Sequence, residues 1–293
     1  MPSLSFDPVA HAYDATRGYP EDVALQIARA LEAAAGASAQ TTFLEVGVGT
    51  GRIALPLASL GHIYTGVDIS QKMAEQLETK LLAAGWQREQ QPWGARPDED
   101  TAQSSDVRRF AHAGKEASLR LVLADITALP FHDATFDVAV AVHIFHLVDG
   151  WQRAVSEVLR VLRPGGLFLH CWDEDVTSGK WSVETTWQKI VQDMGYEVRQ
   201  PGSQTRALVT QWLVERGLQP QETRVARWER AVTPRHAMEN VTKRLWSRTW
   251  SVPDDIFEAS VERLWHWAQD YFGADLDTPY TRTTQFVICK TQV

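Results

Sequence analysis

Short apolar segments alternate with amphipathic segments between residues 42 and 172, and this alternation restricts the possible folds more than any other feature of the chain. Short apolar runs bounded by glycine or aspartate are typical of strands, whereas apolar residues three and four positions apart indicate helices. The predicted strands are Thr42–Val46, Ile63–Val67, Leu119–Leu123, Phe136–Val142 and Leu167–Trp172. Strands and helices that alternate in this way form a mostly parallel sheet with helices on both faces.

Two further apolar segments occur late in the chain. Thr223–Val232 and Thr284–Thr291 suit a final antiparallel pair that closes the sheet. The expected fold is therefore α/β, a Rossmann-like three-layer sandwich with a seven-stranded, mostly parallel sheet and a helical cover. We expect a single domain over residues 1–293, with its core at about 40–172 and strands within 221–293.

Two segments interrupt the alternation. Residues 86–118 are polar and lack periodicity where a connection is ordinarily short, so we interpret them as an insertion. Residues 173–280 show mostly helical patterns, and nine of the 12 tryptophans follow residue 170. We expect this segment to cover the substrate side of the sheet, where its aromatic side chains either line a pocket or pack the helices.

Charge and composition argue against nucleic acid and membranes as partners. With a formal net charge of −8 and a pI near 5.6, the surface repels phosphate backbones, so we expect no nucleic-acid partner. No apolar run reaches the length of a membrane span, and we expect no stable membrane insertion. The amino-terminal residues do not resemble a secretory signal, and Cys171 and Cys289 do not form a disulfide pattern. These features together predict a cytoplasmic protein.

A glycine-rich loop follows the first predicted strand, with the sequence Glu45-Val46-Gly47-Val48-Gly49-Thr50-Gly51. Glycines at this point allow a tight turn and a close approach of the backbone to a ligand beyond the strand ends. Dinucleotide-binding enzymes carry G-x-G-x-x-G here, whereas this loop has G-x-G-x-G with an acid two residues before it. The loop alone predicts a nucleotide cofactor and leaves its identity open.

Two acids stand at the ends of the following strands. Asp68 ends the second predicted strand and can accept hydrogen bonds from ribose hydroxyls, a device that NAD enzymes also use. Asp125 ends the third, and it can accept a hydrogen bond from an adenine amino group, with Ile126 against the ring. A purely structural role as caps is the alternative for both acids. Together they favour an adenosine-containing cofactor.

Four motifs, in order, resemble those of the class I S-adenosylmethionine-dependent methyltransferases: FLEVGVGTGRIALPLA, GVDIS, LADITALPF and FDVAVAVHIFHLVDGWQRAVSEVLRVLRPGGLFLH. They extend from residue 43 to residue 170 and look most like the small-molecule branch called methyltransferase type 11. The earlier segment FDPVAHAYDATRGYP is similar to the opening of that branch, with Gly18 in place of the usual proline. The resemblance implies S-adenosylmethionine as cofactor and methyl transfer to a small molecule as activity.

The resemblance also implies a set of cofactor-binding residues: Tyr13, Arg17, Glu45, Gly47, Val48, Gly49, Gly51, Asp68, Ile69, Met73, Asp125, Ile126, Val142 and His143. In this set the glycine loop would hold the methionine part, Asp68 the ribose and Asp125 the adenine. Tyr13 and Arg17 would fold over the cofactor, and the residues after the fourth strand would lie near the methionine.

Methyl transfer from a sulfonium requires alignment and exclusion of water, and it requires a base only when the nucleophile carries a proton. His146, just after the fourth strand, is the candidate base. His143 and His170 lie near it in the topology, but the H-x-x-H spacing is not diagnostic of a metal site and no compact set of carboxylates accompanies it. We therefore expect no metal, and a packed or solvated histidine is the alternative at each position.

The nature of the acceptor is only partly constrained. The fourth strand lacks the Asn/Asp-Pro-Pro-Tyr signature of methyltransferases that act on nucleic-acid bases, which favours a small-molecule acceptor, aromatic or apolar if the tryptophans line its pocket. Two other functions stay open at this point: an NAD(P)-dependent oxidoreductase, and a non-catalytic S-adenosylmethionine binder that regulates a partner. A titration with nicotinamide cofactor would test the first, and methyl transfer to any acceptor would exclude the second.

Overall fold

A computed structural model of the chain describes residues 4–89, 107–112, 114, 117–177, 183–199, 201–203 and 206–293. Within these residues a central sheet contains nine strands. In chain order they are β1 (Thr42–Val46), β2 (Ile63–Asp68), β3 (Trp86–Arg88), β4 (Val107–His112), β5 (Ser118–Leu123), β6 (Phe136–Val142), β7 (Leu162–Asp175), β8 (Gln221–Val232) and β9 (Tyr280–Gln292). Across the sheet the order is β3-β4-β5-β2-β1-β6-β7-β9-β8.

The centre of the sheet is parallel and both edges are antiparallel. β1 pairs in parallel with β2 and β6, β2 with β5, and β6 with β7. β9 then runs antiparallel to both β7 and β8, which confirms the predicted closing pair. The strand order reverses direction at β1, so the carboxyl ends of β1, β2, β5 and β6 meet at the switch point where ligands bind in such sheets.

The prediction of seven strands is two short, because the ends of the stretch 86–118 also join the sheet. β3 and β4 pair antiparallel with each other, and β4 pairs with β5. Trp86 and Phe110 are buried there, and Arg108 is buried in an ion pair with Glu78 at 3.1 Å. Because the buried residue here is an arginine, the sequence of β4 looks polar and lacks the apolar alternation that predicts a strand. Residues 90–106, at the centre of the predicted insertion, lie outside the described part of the chain.

The helices in chain order are α1 (Ala10–Arg17), α2 (Glu21–Ala35), α3 (Ala54–Ala58), α4 (Gln71–Ala83), α5 (Trp151–Val161), α6 (Val183–Asp193), α7 (Arg206–Val214), α8 (Pro234–Thr242) and α9 (Asp254–Phe272). Local chemistry explains their ends. The Ser70 hydroxyl accepts the Met73 amide at the start of α4, and Gly36 ends α2 with φ of 60°. In the described residues, no helix combines the length and the apolarity needed to cross a bilayer.

Apolar side chains are buried on both faces of the sheet. On one face α2, α3 and α4 contribute Ile27, Leu57 and Leu77 to the core, and on the other α5 and α7 contribute Val158 and Leu213. Helices on both faces of a mixed, mostly parallel sheet make three layers, which confirms the predicted Rossmann-like sandwich.

The cover predicted from residues 173–280 has a core of its own. Helices α6, α8 and α9 pack together around Trp187, Met238 and Leu264, all fully buried. The Trp187 indole Nε1 donates to Ser260 Oγ at 2.9 Å, which satisfies its buried N–H. This helical unit stands beside the strand ends and closes one side of the site described next.

Candidate active site

The glycine loop lies directly beyond the carboxyl end of β1. Gly47 and Gly51 have φ of 75° and 74°, in the left-handed region that favours glycine. A Cβ on Gly47 would lie 2.6 Å from Ile144 Cδ1, and one on Gly51 would lie 2.2 Å from Leu77 Cδ1. The first glycine therefore lets the backbone pass close to the segment after β6, and the last lets the loop pack against α4.

A pocket opens above this loop, where the ends of β1, β2, β5 and β6 converge; we call it the strand-end pocket. Its wall contains most of the predicted cofactor residues: Tyr13, Gly47, Gly49, Asp68, Ile69, Met73, Asp125, Ile126, Val142 and His143. Four predicted residues, Arg17, Glu45, Val48 and Gly51, are not in this wall. The wall also contains residues that the sequence reasoning missed: Leu4, Ser5, Phe6, Ile144, Leu147 and Val148. The apolar run after β6 was a usable signal for the last three, and Phe6 begins the amino-terminal motif, whereas nothing in the sequence marked Leu4 and Ser5.

Asp68 is held across the loop by backbone amides. Its Oδ2 accepts the Gly49 N–H at 2.7 Å, and its Oδ1 accepts the Ser70 N–H at 2.8 Å. Burial raises the pKa of this carboxyl, although these bonds act in the opposite direction. Each carboxylate oxygen has two lone pairs, so the group can accept further hydrogen bonds from a ligand in the pocket.

Glu45 lies beneath the loop rather than in the pocket. Its side chain is 2% exposed, and its Oε2 accepts the Tyr64 hydroxyl at 2.8 Å. Burial raises the pKa of Glu45 to about 8, against the effects of that hydrogen bond and of the positive charge of Arg52. The carboxyl is therefore mostly protonated at neutral pH and acts as part of the floor of the loop.

The amino-terminal segment crosses the strand-end pocket and is attached on both sides. Asp14 accepts the Thr50 hydroxyl at 2.6 Å and pairs with Lys80 at 2.9 Å. At the other end the Leu4 N–H donates to the Leu147 carbonyl at 2.9 Å. These contacts join the segment to the glycine loop, to α4 and to the segment after β6, and they place its aromatic residues in the pocket wall.

A much larger cavity of about 1000 Å³ adjoins the strand-end pocket; we call it the large cavity. Its wall comes from α1, the end of β7, β8, α8, residues 246–248 and the start of β9. The two spaces share the side chains of Phe6, Tyr13, His143, Ile144 and Leu147. A molecule in one space is therefore separated from a molecule in the other by no more than these shared residues.

Asp173 organises a polar network at the junction, and the sequence did not predict it. Tyr19 donates its hydroxyl to Asp173 Oδ1 at 2.9 Å, Arg52 lies 3.6 Å from Oδ2, and the Asp173 N–H donates to His143 Nε2 at 2.8 Å. Burial opposes ionisation of Asp173, but His143, Arg52 and Tyr19 together hold its pKa at about 2. His143 has φ of 52°, an uncommon conformation for a non-glycine residue that is typical of functional sites. The residues of this network are far apart in sequence, so no local sequence pattern predicts it.

The candidate base His146 lines the large cavity and not the strand-end pocket. Burial, His143 and the nearby arginines, chiefly Arg248 and Arg17, lower the pKa of His146 to about 3. Burial also lowers the pKa of His170, in the same cavity, to about 3. Both imidazoles are therefore neutral at physiological pH. Among the described residues, no group of three or more His, Cys, Asp or Glu side chains is arranged to hold a metal ion.

The tryptophans divide between the cavity wall and the packed interior. Trp172, Trp228 and Trp246 line the large cavity, and Trp250 packs edge-on against Phe6 at 4.8 Å. Of the other tryptophans that follow residue 170, Trp187, Trp212, Trp265 and Trp267 pack within the hydrophobic clusters, and Trp181 lies outside the described residues. Arg17, predicted near the cofactor, also faces the large cavity, with Nη1 donating to the Leu245 carbonyl at 3.1 Å.

Two family models match the chain, and both are described as a methyltransferase domain: type 25 over residues 43–95 and type 11 over residues 98–170. The sterol 4-C-methyltransferase of Caenorhabditis elegans is 26% identical over 196 residues, which cover 67% of this chain and 46% of that protein. The phosphatidylethanolamine N-methyltransferase of Cereibacter sphaeroides is 32% identical over 123 residues, covering 42% of this chain and 46% of that protein. The chain thus spans less than half the length of these curated relatives.

A solved structure of a candidate methyltransferase from Bacillus halodurans C-125 aligns with a TM-score of 0.53 and 13% identity, over 90% of this chain and 97% of that one. At this identity the likeness concerns the fold alone. The fold and the strand-end pocket define a doubly wound protein that binds a nucleotide cofactor at the switch point of its sheet. The ordered motifs and both family models narrow this class: over residues 43–95 and 98–170 the resemblance of the chain to the class I S-adenosylmethionine-dependent methyltransferases, and to their type 11 branch, is confirmed.

The residues of the strand-end pocket fit S-adenosylmethionine. Gly47 and Gly49 leave the backbone open toward the pocket, and Asp68 offers a carboxylate already fixed by two amides. Ile69 and Ile126 provide apolar walls, and Ile69 is 52% exposed, so its side chain is accessible to a flat ring in the pocket. Hydroxyl, amino and ring groups of an adenosine thus find matching partners here.

Proposed function

We propose that the chain transfers the methyl group of S-adenosylmethionine to a small-molecule acceptor by in-line displacement. The observation that carries this proposal is that the strand-end pocket and the large cavity adjoin and share a few side chains of their walls. When bound, S-adenosylmethionine supplies an electrophilic methyl group on a sulfonium. A lone pair of the acceptor forms the new bond to the methyl carbon while the carbon–sulfur bond breaks, and its electron pair stays on sulfur as S-adenosylhomocysteine is released.

The protein's own residues contribute position and exclusion of water. In this proposal the loop residues Gly47, Val48, Gly49 and Gly51 hold the methionine part, with Glu45 supporting them from beneath. The remaining members of the set, apart from Arg17 in the wall of the large cavity, bind the nucleoside or close over it: Asp68, Ile69, Met73, Asp125, Ile126, Val142, His143 and Tyr13. Alignment of this kind can supply several kcal/mol of the barrier reduction, roughly 7 kcal/mol or more in favourable cases. The hydrogen bond from Thr50 to Asp14 supports a role for the amino-terminal segment in shielding the bound cofactor from water.

We propose His146 as the proton acceptor for any nucleophile that carries a proton. Its neutral imidazole in the large cavity supports this role, but its pKa of about 3 must rise before it can accept a proton efficiently. Because nearby arginines contribute to the low pKa, a negative charge that pairs with them would raise the pKa of His146. Burial is the largest cause of the low pKa and stays in place, so in this proposal the bound acceptor makes the imidazole a better base than it is before binding.

The proposed acceptor has an aromatic or apolar part. Phe6, Trp172, Trp228 and Trp246 in the wall of the large cavity support this, since aromatic side chains bind flat apolar groups well. We further propose that residues 1–293 form a single methyltransferase domain with a substrate-side segment at 173–280. A cytoplasmic location is also proposed, in keeping with two free, buried cysteines, Cys171 and Cys289.

Calorimetry with S-adenosylmethionine and S-adenosylhomocysteine is the direct test. We expect both to bind to the folded protein and a nicotinamide dinucleotide not to bind. A second arm follows radiolabelled methyl transfer into a panel of small acceptors and so separates an enzyme from a non-catalytic binder. Folded protein that binds neither sulfur compound would refute the proposal, and tight binding of NAD(P)H instead would favour an oxidoreductase.

A further inference from the structure

Arginine is concentrated in the wall of the large cavity, although the chain as a whole is acidic with a formal net charge of −8. The arginines of the wall are Arg17, Arg52, Arg206, Arg230, Arg248 and Arg282. The wall also contains three carboxylates, and each lies beside one of these arginines: Asp173 beside Arg52 (3.6 Å), Asp175 beside Arg282 (2.8 Å) and Glu184 beside Arg248 (3.6 Å). After this pairing, three arginines of the wall are left over.

The three left over are Arg17, Arg206 and Arg230, and within the described residues no carboxylate lies at salt-bridge distance from them. Each of the three donates a hydrogen bond to a main-chain carbonyl oxygen. Arg206 is typical: Nη2 donates to the Asp173 carbonyl at 3.0 Å, and the guanidinium lies over the Trp172 ring at 5.4 Å. A carbonyl oxygen offsets part of the hydrogen-bond requirement of a guanidinium but none of its charge, so the cavity keeps a surplus of positive charge.

The other titratable groups of the wall do not cancel this surplus. Burial lowers the pKa values of His143, His146 and His170, and at about 3 the pKa values of His146 and His170 leave both of these imidazoles neutral at pH 7. His170 is 4% exposed, and its Nδ1 has no hydrogen-bond partner among the described residues. A buried polar atom without a partner is uncommon in folded proteins, and in a cavity wall it is a place where a bound water or a ligand can form a hydrogen bond.

The arginines also lie near one another. Arg230 donates to the Gly18 carbonyl, adjacent to Arg17, and Arg52 donates to the Arg17 carbonyl at 3.1 Å. Arg17 and Arg206 both act on the charge of His146. Each guanidinium presents a planar fork of N–H donors that matches an oxyanion, and the same cavity wall offers aromatic side chains to an apolar body.

We propose that the methyl acceptor is a small organic oxyanion, a carboxylate or a phosphate, whose charge is balanced in the large cavity by Arg17, Arg206 and Arg230. The aromatic part of the acceptor packs against Trp172 and its neighbours. This inference rests on the proposed function, because it assigns the large cavity to the acceptor. It names a substrate class that an apolar cavity alone would not select.

The test measures binding of three matched probes to the full chain saturated with S-adenosylhomocysteine: benzoate, phenyl phosphate and neutral benzamide. Quenching of tryptophan fluorescence reports on the cavity, because Trp172, Trp228 and Trp246 line it. We expect at least one anion to bind about tenfold or more tightly than benzamide, and to weaken as ionic strength rises. Comparison of benzoate with phenyl phosphate decides which oxyanion fits.

Variants assign the binding to the arginines. Arg206→Gln and Arg230→Gln are each expected to weaken the anion about tenfold, while Arg206→Lys keeps part of the affinity. Arg227→Gln is the matched control, since Arg227 is exposed on the same strand as Arg230 and is not part of the wall. Binding of S-adenosylhomocysteine, measured in parallel, is expected to stay unchanged in all four variants.

The outcomes distinguish a failure of this inference from a failure of the proposed function. If S-adenosylhomocysteine binds but neither anion does, or benzamide binds as tightly as both anions, the oxyanion acceptor is wrong and the proposed function stands. Equal anion affinity in Arg206→Gln, Arg230→Gln and the control would also overturn it. If S-adenosylhomocysteine itself fails to bind, the proposed function fails and the inference fails with it.

Discussion

Replacement of Glu45 by glutamine tests how the glycine loop is supported. In the folded protein burial raises the pKa of Glu45 from 4.5 to about 8, whereas in the unfolded chain the carboxyl titrates at its ordinary value. Below pH 4.5 both states bind the proton, so the group does not affect stability. Between pH 4.5 and 8 the folded state alone keeps the proton, so the free energy of unfolding falls as pH rises, by about 1.4 kcal/mol per pH unit.

Glutamine has the same shape, can accept the Tyr64 hydroxyl through its amide oxygen, and does not titrate. The free energy of unfolding of Glu45→Gln minus that of the parent chain is therefore expected to increase by about 3 kcal/mol between pH 5 and pH 8. This is the size that the raised pKa of Glu45 implies. Taking the difference between the two chains cancels groups that titrate equally in both. Urea unfolding at a series of pH values, extrapolated to water, measures it.

Tyr64→Phe provides the complementary variant. The Tyr64 hydroxyl donates to Glu45 and so lowers its pKa, which means that its removal extends the loss of stability above pH 8. If Glu45→Gln and the parent chain differ by the same free energy at pH 5 and pH 8, Glu45 is ionised in the folded protein. The reasoning from burial would then be refuted.

Three further substitutions test other parts of the site and fold. Asp68→Ala should weaken S-adenosylhomocysteine binding by about 1–3 kcal/mol in calorimetry, because ligand hydroxyls lose their acceptor; an unchanged affinity would argue against the ribose role. Gly47→Ala should destabilise the protein by roughly 1–2 kcal/mol, because alanine disfavours the left-handed conformation, and the contact of its Cβ with Ile144 adds to this cost. The variant should also bind the cofactor more weakly. Normal unfolding and binding by this variant would contradict the close approach. Trp86→Ala should reduce the free energy of unfolding by about 3–5 kcal/mol, since Trp86 is 2% exposed, and a loss below 1 kcal/mol would mean that β3 is not packed in the core.

Local sequence was sufficient wherever a local pattern carried the structural cause. The strand from Thr42 to Val46, the glycines after it and Asp68 at the end of the next strand are contiguous signals, and each of these elements occupies its predicted place. Ser70 shows the same for a helix start, because its hydroxyl bonds an amide three residues later. The strand ends of a parallel sheet converge by geometry, so the strand-end pocket followed from the same patterns.

Local sequence failed where the cause lay in distant partners. Arg108 made β4 look polar because its ion partner Glu78 belongs to a different element. The Asp173 network unites Tyr19, Arg52 and His143, and no spacing rule links residues so far apart. Arg17, expected beside the cofactor, turned out to line the large cavity, because its guanidinium reaches the Leu245 carbonyl.

The order of residues along the chain was enough to predict the α/β sandwich, the glycine loop and the resemblance to the family, because strand ends, turns and caps depend on neighbours within a few positions. The nature of the large cavity depended on the folded chain. Its arginines come from α1, α7, β8 and other separate elements, and the balance between paired and unpaired charge exists only after folding has placed each carboxylate beside one of them. Ion pairing acts over a few ångströms in space, whatever the distance along the chain.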